Sequence, residues 1–130
     1  MREILFRGQR KDTGMWVCGD LLQGGIDYDI AIREKKTNAV VAVSPETVGQ
    51  FSGLVDKDGK KIFEGDVILI PYDYGTFGHN AGKMYEIYFG YGGFRLKPKY
   101  SKKARGYWLE DDKTFKVFGN VYDNPGLLED

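Results

Sequence analysis

Residues 51–70 decide more about this fold than any other stretch. Phe51 to Val55 reads as an extended run, and Asp58-Gly59 follows as a hairpin signal. Tight turns between antiparallel strands need residues that tolerate positive φ, and Asp and Gly do. Ile62-Phe63 resumes an apolar strand. Glu64-Gly65-Asp66 then breaks it with a bulge or bend, and Val67-Ile68-Leu69-Ile70 runs on as β-formers without a polar gap. A run of that length and composition predicts a strand buried on both faces. Just upstream, Ser44-Pro45-Glu46 has the grammar of a helix start, with Gly49 as its stop. The Ser oxygen can accept an orphan amide, and Pro suits the first helical position. The spacing leaves room for one short helical turn.

The rest of the chain repeats this punctuation. Eighteen glycines in 130 residues favour many short strands over long helices. Ile4–Arg7 and Met15–Leu22 flank the polar turn 9–14. Tyr28–Arg33 alternates polar with apolar, and Ala39–Val43 is rich in β-branched residues. Lys83–Phe89, Tyr91–Leu96, Tyr107–Leu109 and Lys116–Val121 supply the later strands. The expected class is therefore mainly β, with residues 1–43 as an N-terminal β-meander. The expected core is Leu5, Trp16, Val17, Leu21, Val41, Val43, Leu54, Ile62, Val67, Leu69, Ile87, Phe89, Val117 and Val121.

Charge excludes one class outright. Lys and Arg number 19, as do Asp and Glu, so a uniformly basic nucleic-acid binder is ruled out while a local patch is not. The single cysteine, Cys18, has no partner in the chain and points to a reducing, cytoplasmic setting. The start is too short and polar for a signal peptide, and no apolar run nears the roughly 20 residues of a membrane helix.

Candidate chemistry is thin. His79 is the sole histidine, and nothing places it beside Cys18 and an orienting acid. One His and one Cys do not make a zinc site. Asp56-Lys57-Asp58-Gly59 opens like a calcium loop but lacks the third acid and the closing Glu. Glu64 and Asp66 share a strand face but flank a bend, where capping backbone amides is the commoner role. No phosphate-binding loop is present. No catalytic residue, metal, cofactor or small-molecule substrate is therefore expected. Two binding surfaces stand out instead. Tyr72, Tyr74 and Phe77 lie in a long connection and have the residue types of an interface for a protein partner or a second copy. Lys97, Lys99, Lys102, Lys103 and Arg105 surround Tyr100 with no acid among them, inside the aromatic segment 94–108. That is the combination single-strand nucleic-acid binders use.

Val43–Gln50 followed by Gly53–Val67, with its run Gly53-Leu54-Val55-Asp56-Lys57-Asp58-Gly59-Lys60-Lys61-Ile62-Phe63-Glu64-Gly65-Asp66, resembles the signature of the YopX family. Phe6–Gln9, Gly14–Leu21 and Phe118–Pro125 resemble its opening and close. The resemblance implies one YopX-like domain over 1–130, an SH3-like barrel in residues 44–125, and a phage or prophage origin with no established activity. It gives no support to residues 71–108, where the family varies. The expectation is a non-enzymatic phage accessory protein that binds a protein, with nucleic-acid binding through 94–108 as the alternative.

Overall fold

The computed structural model describes residues 2–70, 83–98, 107–110 and 114–128. The chain divides into two compact units, Met1–Gly53 and Leu54–Asp130. It is mainly β. The strands are β1 Phe6–Gln9, β2 Trp16–Gln23, β3 Ile30–Glu34, β4 Val40–Ala42, β5 Gly49–Val55, β6 Lys61–Phe63, β7 Asp66–Ile70, β8 Lys83–Gly90, β9 Gly93–Pro98, β10 Tyr107–Trp108 and β11 Lys116–Asn120. They form two antiparallel sheets, ordered β4-β3-β2-β1-β5-β6 and β10-β9-β8-β7-β11.

In the first unit, β1 to β4 pair in chain order. Arg7 lies opposite Cys18, Leu21 opposite Ile32, and Ala31 opposite Ala42. Period-two alternation sends Val17, Ile32 and Val43 inward, with Phe6, Leu21, Ile30 and Val48 packed around them. The expected helical turn is a 3-10 turn over Pro45–Thr47. Ser44 does not cap it with its side chain. Thr47 Oγ1 donates to the Ser44 carbonyl at 2.6 Å instead, and accepts from the Gln9 amide at 2.9 Å.

In the second unit, Ile62, Ile68, Tyr85, Ile87, Leu96, Phe115 and Val117 make one core, with Leu54, Phe94 and Leu109 against it. β7 is buried on both faces over Val67 and Ile68, as its apolar run predicts. β11 pairs with β7 through a bulge between Val117 and Gly119.

Three expectations need correction. Among the described residues the five-stranded sheet is open, with β10 at one edge and β11 at the other, so no closed barrel is formed. Phe89 is not core: it is 55% exposed, because its partner Phe94 is the last side-chain pair before the β8–β9 turn. A second 3-10 turn, Pro125–Leu128, joins the one expected. Pro125 presets its φ, and the Leu127 amide closes the turn on the Asn124 carbonyl at 3.1 Å.

Candidate binding face

The face is a product of strand alternation. In β8 and β9, Tyr85, Ile87 and Leu96 point into the core. Their neighbours Glu86, Tyr88, Arg95 and Lys97 therefore stand on the other side of the sheet. The register sets Tyr88 opposite Arg95 and Glu86 opposite Lys97. β10 then adds Trp108 opposite Arg95 on its other flank. The result is a cross-strand row, Trp108–Arg95–Tyr88, with Lys97 and Glu86 beside it.

The row is tightly organised. The Arg95 guanidinium carbon is 4.2 Å from the centroid of the Trp108 ring and 5.6 Å from that of Tyr91. Arg95 is only 7% exposed, whereas Tyr91 and Trp108 are 61% and 52% exposed. The cation is thus spent on holding two rings, and each ring is more than half exposed to solvent. Each such contact contributes on the order of 1 kcal/mol. Lys97 Nζ stands 5.9 Å from the Tyr88 ring centroid. The indole of Trp108 lies across Gly93, where any Cβ would overlap the ring. Burial pushes the Glu86 carboxyl above its ordinary range, with Lys97 opposing the shift.

Tyr91 sits in the two-residue turn between Gly90 and Gly93 with φ 52°, followed by Gly92 at 86°. Two positive φ values mark the turn type that matches strand twist in tight hairpins. Asn, Asp or Gly normally fills its first place, and an aromatic residue there is strained by about 1 kcal/mol or more.

Of the residues singled out from sequence, Lys97 and the flanking Phe94 and Trp108 are brought to this part of the sheet. Lys99, Tyr100, Lys102, Lys103 and Arg105 lie outside the described residues, as do Tyr72, Tyr74, Phe77 and His79. Sequence reasoning missed Tyr88, Tyr91 and Arg95 as members of the face. The signal for Tyr91 was present in Gly90-Tyr91-Gly92-Gly93, a turn sequence with an aromatic residue where a turn former belongs.

Two of the acidic residues weighed for chemistry, Asp56 and Asp66, serve the backbone. Asp56 is 3% exposed. Its Oδ1 accepts from the Asp58 and Lys60 amides, each at 2.9 Å, and its Oδ2 accepts from the Val117 amide at 2.9 Å. Burial alone would raise its pKa, but these amides, Val117 first, hold the carboxyl below its ordinary value. Asp56–Gly59 is thus a turn, with its carboxylate aimed inward at amides. Asp66 Oδ2 accepts from the Phe63 amide at 2.8 Å across the bend at Gly65. Among the described residues, no three of His, Cys, Asp and Glu converge to hold a metal ion. No described helix is long and apolar enough to cross a membrane.

Two open antiparallel sheets, with a stacked arginine on the second, define an all-β protein without a recognisable catalytic site among the described residues. The chain belongs to the YopX family, described as YopX protein, which it matches over residues 5–129. It is similar in fold to the crystal structure of protein EF1440 from Enterococcus faecalis, with a TM-score of 0.61 and 20% identity. That match covers 99% of this chain and 100% of the other. No curated protein matches the chain.

Proposed function

We propose that this chain is a non-enzymatic accessory protein that acts by binding, with the outer face of β8, β9 and β10 as its contact surface. One observation carries the reading: an arginine buried to 7% exposure holds two aromatic rings that are each more than half exposed. A side chain held rigid in order to present apolar rings to water does nothing for the core. Trp, Tyr and Arg are also the residue types that dominate contact energetics. The engagement of Asp56 and Asp66 with backbone amides supports binding over catalysis.

The family supports a setting in a bacterial cell that carries phage or prophage genes, and the lone Cys18 suits the host cytoplasm. A source gene with no phage genes around it would count against that origin. An SH3-like ancestry for the second unit is supported by its five antiparallel strands and own core. An experimental structure with β10 and β11 far from closure would remove it.

Hydroxyl-radical footprinting tests the contact surface. Tyr91 and Trp108 should be oxidised readily in the purified protein and protected in host extract. Met15, which is 67% exposed on the other unit, should stay reactive in both. Unchanged reactivity of Tyr91 and Trp108 in extract would sink the reading.

A further inference from the structure

We propose that the Tyr91–Arg95–Trp108 face binds single-stranded nucleic acid, its two exposed rings stacking on unpaired bases and Lys97 meeting a phosphate. The inference rests on the reading of this face as the contact surface.

Three features favour this partner. First, the rings on the face are matched with cations. Tyr91 and Trp108 share Arg95, and Tyr88 has Lys97. Protein interfaces are depleted of Lys at their centres and gather apolar residues there. Rings alternating with cations are instead what stacking platforms for single strands use. The described carboxylate in this row, Glu86, is answered across the strand pair by Lys97. Second, charge complementarity extends along the sequence. The chain that joins β9 to β10 carries Lys99, Lys102, Lys103 and Arg105 and no acid, although the site itself is built from the described residues alone.

Third, Tyr91 is held where its backbone is strained. At φ 52° an Asn or Gly would sit more comfortably. Strain of this kind persists where a side chain is wanted for what it touches. Its ring is 61% exposed and lies against the Arg95 guanidinium. A base stacked on the open side of Tyr91, and a second on Trp108, would use both rings. A duplex offers no unpaired base faces, so the surface should prefer single strands.

The test is fluorescence anisotropy of the full chain with labelled oligo(dT), oligo(U) and a DNA duplex of equal length, over a salt series. The wild type should bind the single strands more tightly than the duplex, with affinity falling steadily as salt rises. Tyr91→Asn should weaken single-strand binding about tenfold while the melting temperature rises or holds. Trp108→Ala should weaken it similarly, and Lys97→Gln should lower the salt slope by about 0.7. A merely structural role for Tyr91 would not separate affinity from stability in this way. Absence of single-strand binding at low salt would overturn the proposal, as would Tyr91→Asn and Trp108→Ala binding like the wild type. Sedimentation of the same variants separates the two failures. If no oligonucleotide binds but Tyr91→Asn disrupts self-association, the face is a protein contact and the partner is wrong. If the variants change neither, the contact-surface reading falls as well.

Discussion

Two turns in the second unit solve the same geometric problem differently. The turn after β5, Asp56–Lys60, uses residues suited to it. Gly59 takes φ 82°, and the Asp56 carboxylate gathers the amides of Asp58 and Lys60 and reaches across to Val117. The turn after β8 uses Tyr91 at φ 52°, with no carboxylate inside it. The first turn is built for stability: every unusual feature lowers the free energy of the fold. The second accepts strain and in exchange projects a ring. An aromatic residue placed where backbone chemistry disfavours it is what the turn on the proposed contact surface has and the first turn lacks.

The comparison can be broken from its strong side. Asp56→Ala should cost about 3 kcal/mol in urea denaturation, since it leaves a buried Val117 amide and two turn amides without their acceptor. A loss under about 1 kcal/mol would mean that water replaces the carboxylate, and the first turn would not be a stability device. A pH titration follows from the same residue. Because the folded carboxyl titrates below the unfolded one, its contribution is fully present above the unfolded value of about 3.9 and fades as pH falls through the lower folded value. Asp56→Asn should therefore be less stable at neutral pH and show a flatter loss below pH ~4.

Substitutions at the positive-φ sites should then go in opposite directions. Gly59→Ala should cost about 1 kcal/mol, because a Cβ is strained at φ 82°. Tyr91→Asn should gain about 0.5 kcal/mol by relieving its turn. If thermal denaturation shows both losing equally, Tyr91 is an anchor and the contrast between the turns disappears. The smallest effect belongs to Glu86→Gln. Burial disfavours the Glu86 charge, so the native state gains from the acid form at low pH and loses that gain as pH rises through the raised value. The variant should be slightly more stable than the wild type at neutral pH and no longer show that decline.

Much of the fold was legible where the chain's turns are punctuated. Asp58-Gly59, the polar turn 9–14 and the bend at Gly65 bracket strands that lie within a few residues of their expected places. Local chemistry sets such boundaries, so local sequence reveals them. The division of strands between two sheets is set by pairings distant in sequence, and no local pattern encodes it. The core shows the same limit. Ile32 and Phe115 are fully buried but were passed over, while Phe89 was chosen for being apolar in a strand. Which end of a strand reaches solvent depends on where its hairpin turns. At the face, the basic segment points to Lys97, and nothing in the sequence marks Arg95. Its importance comes from Trp108, thirteen residues further on and brought beside it by β10.

Both tryptophans of the chain carry an arginine over the indole. Arg7 lies 4.7 Å from the Trp16 centroid in the first unit, and Arg95 lies 4.2 Å from that of Trp108 in the second. The protein is therefore its own optical instrument. A cation over an indole shifts its emission, so each unit holds a built-in fluorophore tuned by one local contact. Trp16→Phe leaves the second unit reporting alone, and Trp108→Phe leaves the first. Melting curves from the two variants would show whether the halves lose their order at one temperature or at two.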